Sequence, residues 1–177
     1  MTTLPFERLI ELHGGTVIRV CRAVLGPHAD ADDAWQETFL AALKAYPGLP
    51  SGANHEAWLV TIAHRKAIDV IRRRQRIETA TDELPERTSL LGIPGAEHTE
   101  LWEALASLTL KQRLAVTYHH IAGFSYKEIA ELLDCTPAAA RRAASDGMAR
   151  MRDSLEAVIG ERYAAAEQQL KVQGAKS

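Results

Sequence analysis

The first side chains that invite a chemical reading are cations in helical register. Arg65, Asp69, Arg72 and Arg76 are spaced 4, 3 and 4 residues apart, so on a helix they share one face. Arg72, Arg73, Arg74 and Arg76 crowd the end of that stretch. Guanidinium groups in such an array bind phosphate oxygens. The plain alternative is a solvated helix end whose cations suit the helix dipole. Trp58 stands near the start of the same segment, where an indole either stacks on a base or packs in a core. A second set is acidic: Asp30, Asp32, Asp33, Gln36 and Glu37. Carboxylates there favour a helix N-terminus, and the same face has the sign needed to dock on a basic partner helix. No nucleophile–base pairing and no phosphate loop is evident, so the expected chemistry is binding, without catalysis or a cofactor.

The third set lies in residues 124–147, "FSYKEIAELLDCTPAAARRAASDG". Ser125 followed three residues on by Glu128 is a capping box. Ile129, Leu132 and Leu133 supply a buried face. Asp134 stands where the chain must turn and tolerates the left-handed conformation. Thr136 followed by Pro137 starts a second helix. Thr109 with Gln112 caps a helix upstream. The pattern is that of a helix-turn-helix, although a plain helical hairpin carries the same caps. The second helix presents Ala138, Ala139, Arg141, Arg142 and Ser145 near its start. Arginine pairs with guanine edges or phosphates, whereas alanine reaches only a thymine methyl. Asp146 is repelled by phosphate, so this helix is expected to grip DNA weakly.

The elements that must position these residues are helical throughout. No segment shows sustained period-2 alternation. Apolar residues recur at helical spacing: Phe6, Leu9, Ile10 and Leu12; Val17, Val20 and Val24; Trp35, Phe39, Leu43 and Tyr46. Residues 77–100 differ from their flanks, with six carboxylates, one cation, two prolines and two glycines. They are expected to form a flexible acidic linker. The expected fold is therefore all-α. Two small helical domains, 1–76 and 101–157, are joined by the linker 77–100, the second is a helix-turn-helix, and residues 158–177 form a helical or disordered tail. The 177 residues carry a net charge of −2, which argues against a domain that holds duplex DNA unaided. Cys21 and Cys135 give neither a disulfide framework nor zinc spacing. Adjacent His119 and His120 point about 100° apart on a helix, which is poor metal geometry. No membrane span or secretory signal is expected, and the location expected is cytoplasmic.

Taken together these pieces resemble a bacterial RNA polymerase sigma factor of the extracytoplasmic-function group. "DADDAWQETFLAAL" (30–43) is similar to the family's DAEDLVQETFLRAW. "AWLVTIAHRKAIDVIRRR" (57–74) resembles AWLYTIARNLAIDYLRR. Residues 105–152 resemble the last conserved region, with its ALPxxxR opening and LSYxEIAEILGCSPGTVKSR core. The resemblance implies that Asp30, Asp32, Asp33, Gln36, Glu37 and Thr38 meet the polymerase core at the clamp helices of its beta-prime subunit, with the beta flap as a further contact. It implies minus-ten DNA binding and melting by Trp58, His64, Arg65, Arg72, Arg73 and Arg76. It implies minus-thirty-five recognition by Ser125, Tyr126, Lys127, Thr136, Ala138, Ala139, Arg141, Arg142 and Ser145. It also implies a linker threaded through basic polymerase channels and displaced by nascent RNA, and an anti-sigma factor as a further partner.

The chain departs from the family pattern in named places. His64 and Arg65 replace Arg-Asn, and Thr109 replaces the proline of the Leu-Pro pair. Asp134 replaces the turn glycine. Ala139, Ala140, Arg141, Arg142 and Ala143 replace Thr-Val-Lys-Ser-Arg, and Asp146 replaces a later arginine. A weak reader still functions if polymerase raises its effective concentration at the promoter. Two other readings remain open at this point. One is a free-standing helix-turn-helix regulator, and the other is an interaction protein of sigma ancestry with degraded DNA binding.

Overall fold

The computed structural model describes residues 4–80 and 99–174. Among these, all regular structure is helical. The helices are α1 (Phe6–Leu25), α2 (Ala29–Ala45), α3 (His55–Ala80), α4 (Thr99–Ala106), α5 (Leu110–His120), α6 (Tyr126–Leu132) and α7 (Pro137–Gly174), with a short 3₁₀ turn at Tyr46–Gly48.

The first three helices pack mutually. Leu9, Val17, Val20 and Val24 of α1 meet Ala31, Ala34, Phe39 and Ala42 of α2 and Leu59, Val60, Ala63 and Ala67 of α3. Alanines at the α2 and α3 contacts let the helices approach closely. Gly14 does the same for Trp35, whose Nε1 donates to the Gly14 carbonyl at 3.1 Å. Two residues of the expected apolar faces lie outside this core. Leu12 is 51% exposed and Leu43 is 52% exposed. At 100° per residue, the stripe ending at Ala42 has already rotated past Leu43, and Leu12 falls on the margin of the Leu9–Val17 stripe.

The remaining helices form the second unit. Both expected capping boxes are present, Thr109 with Gln112 on α5 and Ser125 with Glu128 on α6. Asp134 takes φ +49° at the turn, and the Thr136 hydroxyl accepts the Ala139 N–H at 3.1 Å to start α7. Leu114, Ala115 and Tyr118 of α5, Ile129 and Ala130 of α6, and Ala140, Ala143 and Ala144 of α7 are buried together. A smaller cluster gathers Leu105, Leu108, Val116 and Met151 around Ala23 of α1. The core is thus continuous across both units, with α1 lying against α4 and α5.

The helix limits differ from the linker boundaries. Helix α3 runs to Ala80, four residues into the acidic segment, and α4 starts at Thr99. The other linker residues, 81–98, lie outside the described residues. Helix α7 carries the recognition segment and most of the tail as one element, because no proline interrupts it after Pro137 and its alanine content favours helix.

Gly147 sits where α7 crosses α5. A Cβ there would meet Val116 Cγ2 at 2.8 Å and Gln112 Cβ at 3.3 Å, whereas one on Gly160 would meet nothing within 4 Å. Gly160→Ala is expected to stabilise by up to about 1 kcal/mol through helix propensity. Gly147→Ala is expected to destabilise by about 1–3 kcal/mol through overpacking. Urea unfolding of the two variants checks both signs.

Candidate nucleic-acid interface

The acidic set of α2 divides in two. Asp30 accepts from Arg74 Nε at 2.8 Å, and Arg74 also donates to the Leu25 carbonyl at 3.3 Å. Asp32 pairs with Arg22 at 3.2 Å and Glu37 with Lys66 at 3.2 Å. These three carboxylates fasten α2 to α1 and α3. Thr38 is fully buried and its hydroxyl donates to the Ala34 carbonyl at 2.6 Å. It serves packing and cannot meet a partner, which corrects its place in the candidate surface. Asp33 and Gln36 are exposed and take no ion pair or hydrogen bond among the described residues. Leu40, 54% exposed, and Leu43 continue the same helical face. Asp33, Gln36 and Leu40 border a shallow hollow of about 310 Å³, with Lys66, Asp69 and Arg73 of α3 on its other side. Sequence reasoning missed Leu40. The available signal was its position seven residues after Asp33, two turns along the same face.

The basic set of α3 also divides. The Asn54 side chain accepts the Ala57 N–H at 3.1 Å as the helix begins. Arg65, Arg72, Arg73 and Arg76 are exposed. Trp58 is part-buried, with its ring centroid 6.3 Å from that of Tyr46. His64 faces the other unit: its Nδ1 lies 2.6 Å from the Tyr118 hydroxyl. Tyr118 is fully buried, and burial holds its phenol protonated far above the usual range. Burial first, then the charges of Arg65 and Arg72, lower the His64 pKa to about 4. The phenol therefore donates to a neutral imidazole. Nearby, Trp58, Thr61, His64 and Arg65 of α3 face Glu128, Glu131 and Leu132 of α6 across a groove of about 500 Å³. A second bridge between the units runs from the Arg113 guanidinium to the Val24 carbonyl at 3.1 Å. Tyr118 and Arg113 form the joint between the units, and neither belongs to the set read from sequence.

In the helix-turn-helix, Ser125, Lys127, Thr136, Ala138, Arg141, Arg142 and Ser145 are exposed, and Tyr126 and Ala139 are part-buried. The structure brings these residues together at the adjoining starts of α6 and α7. Arg142 approaches Asp146 at 3.7 Å one turn on, while Arg141 lies over the Tyr126 ring at 5.2 Å. No group of acidic, histidine or cysteine side chains among the described residues has the arrangement of a metal site. No described helix is long and apolar enough to cross a membrane.

Comparison with known proteins accounts for this arrangement. The family description of sigma-70 region 2 matches residues 9–77, and that of sigma-70 region 4 matches residues 98–151. Over 141 residues the chain is 34% identical to the ECF RNA polymerase sigma factor SigC of Mycobacterium tuberculosis, covering 75% of this chain and 72% of that one. The chain belongs to the extracytoplasmic-function sigma factors. It is also 28% identical over 154 residues to the RNA polymerase sigma factor CarQ of Myxococcus xanthus, covering 85% and 88% of the two chains. Its fold is shared with the sigma factor RpoE of Bartonella quintana, solved in complex with the anti-sigma factor NepR. That match has a TM-score of 0.70 at 22% identity and covers 85% and 96% of the chains. The chain is thus a promoter-specific initiation factor that works with RNA polymerase, in a family of initiation factors that are not themselves enzymes.

The burial of His64 between basic neighbours gives this sigma factor a pH signature. His64 ionises near 6.5 in an unfolded chain and near 4 in the fold. Between those values the unfolded state takes up a proton that the fold excludes, so this contribution is present above pH 6.5 and is lost as pH falls toward 4. Between pH 7 and 5 the wild type is expected to lose on the order of 1 kcal/mol more than His64→Gln, reduced from the full displacement because the ring keeps some access to water. Urea unfolding at the two pH values measures the difference.

Proposed function

We propose that the factor docks on polymerase core through the α2 face Asp33, Gln36, Leu40 and Leu43. By family resemblance the partner surface is the clamp helices of the beta-prime subunit, with the beta flap receiving the second unit. The observation that carries the proposal is the division of the α2 carboxylates. Asp30, Asp32 and Glu37 are spent on internal pairs, while Asp33 is left beside exposed leucines. Such a face offers a basic partner helix an apolar anchor and a directional charge. Bond formation belongs to polymerase, and this chain binds and positions.

On the promoter, the exposed Arg65, Arg72, Arg73 and Arg76 hold the minus-ten region by its phosphates, with Trp58 available to stack on an unpaired base. The helix-turn-helix reads the minus-thirty-five element in the major groove. The closed arrangement described above cannot serve both elements at once. Their separation of roughly 25 base pairs spans on the order of 85 Å at 3.4 Å per base pair, yet His64 of the first reader is hydrogen-bonded to Tyr118 of the second unit. Promoter binding therefore requires the His64–Tyr118 and Arg113–Val24 contacts to part. An anti-sigma factor holding the closed form is a further part of the proposal, supported at the level of fold by the complex of RpoE with NepR.

Run-off transcription over a genomic promoter library, with purified core and with or without this chain, tests the reading. Starts that need the chain and share a minus-ten and minus-thirty-five pair are the expected result. Asp33→Ala combined with Leu40→Ala is expected to weaken core binding by on the order of tenfold; unchanged affinity would remove this face from the proposal. Opening has its own measurement. Dyes at Glu78 and Arg150, both exposed, should move apart by tens of ångströms, on the scale of the promoter spacing, when core and promoter are added. A constant separation would refute the opening step.

A further inference from the structure

The recognition segment at the start of α7, residues 137–147, has two cations, and the structure treats them differently. Arg142 is turned toward Asp146 of its own helix, which lowers its attraction for phosphate. Arg141 has no carboxylate within ion-pair distance among the described residues. Its guanidinium lies over the Tyr126 ring, 5.2 Å from the centroid. Tyr126 is in turn held by His119 of α5, with ring centroids 4.3 Å apart and planes inclined by 20°. His119 is itself fixed, because its Nδ1 lies 2.8 Å from the Phe124 carbonyl and can only donate there. Three helices thus end in one relay: the α5 imidazole orders the ring at the start of α6, and that ring orders the arginine of α7.

We infer that Tyr126 is a positioning residue for Arg141, that His119 supports it, and that Arg141 so placed is the guanine-reading group of the minus-thirty-five reader. The inference rests on the helix-turn-helix reading above and extends it to the one cation that decides specificity. Pre-organisation gives Arg141 its advantage. A free arginine loses much rotamer freedom when it docks on a base edge, whereas one already held over an aromatic face loses less. Arg141 is exposed, so its forked donors remain available for the O6 and N7 acceptors of guanine. Ala138 and Ala139 flank it without bulk, so they permit close approach and add little recognition of their own. A recognition segment with two cations can in this way hold a sequence preference.

The test uses holoenzyme on a promoter found by run-off transcription, and on variants of it in which each minus-thirty-five guanine is replaced. Tyr126→Ala is expected to lower minus-thirty-five-dependent transcription by about 2- to 5-fold and to blunt guanine discrimination by a like factor. Tyr126→Phe keeps the ring and is expected to behave as wild type. In an Arg141→Ala background, Tyr126→Ala is expected to have no further effect, since its only route is through Arg141. Independent, multiplying effects would mean that Tyr126 touches DNA itself and would overturn the proposal. So would a Tyr126→Ala variant that discriminates guanine as well as wild type while Arg141→Ala does not. If neither substitution alters minus-thirty-five dependence while minus-ten-dependent starts persist, the helix-turn-helix reading fails together with this one, and the assignment as an initiation factor stands.

Discussion

A phenol hydroxyl shut off from water must find a partner or cost roughly 1–3 kcal/mol. Tyr118 is such a group, fully buried, and His64 is the partner it finds. That pairing joins the two units of the fold. It ties the middle of α3 to α5, close to the groove across which Arg65 faces Glu128 and Glu131 of α6, while burial and then the charges of Arg65 and Arg72 keep the imidazole neutral. Arg113 reinforces the same joint from the other side, with one guanidinium shared between the Val24, Ala106 and Leu108 carbonyls. The joint is polar within an apolar surround. It is therefore specific in geometry and separable when a partner offers replacement contacts, which is what the opening proposed for promoter binding needs.

Charge is used with the same economy elsewhere. The chain is close to neutral overall, so long-range attraction to DNA is small and affinity must come from placement. Three of the four carboxylates on α2 are taken up by Arg22 of α1 and by Lys66 and Arg74 of α3, in pairs that fix helix packing. On α2 this leaves one aspartate and one glutamine beside two exposed leucines, and on α3 a row of exposed arginines, Arg65, Arg72, Arg73 and Arg76. Each pair that closes internally removes a charge from the surface, and the groups left over mark the faces available to partners.

The helical character, both capping boxes, the left-handed Asp134 turn and the start of α7 at Thr136–Pro137 were all legible in the sequence, because each depends on residues within four positions of one another. The family resemblance was legible for the same reason, resting on contiguous motifs. Leu12 and Leu43 were misplaced because helical periodicity locates an apolar stripe but not its edges, and Thr38 because a contiguous family motif was carried over without regard to which of its side chains face the core. Where the stripe ends depends on how far the neighbouring helices wrap, and that is a property of packing.

The division of labour between sequence and tertiary structure follows from range. The sequence by itself determined that the chain is a row of capped amphipathic helices, with an acidic face, a basic face and a helix-turn-helix, and it thereby determined the family. Only the tertiary structure decided which charged groups are spent internally and which remain for partners. Asp30 and Arg74 are separated by 44 residues and His64 and Tyr118 by 54. Whether such groups meet is settled by the close packing of α1, α2, α3 and α5, in which a side chain has room for only one arrangement. No local preference encodes that choice, since the same arginine on the same helix face serves equally as a strut or as a hand for DNA until its neighbours are in place.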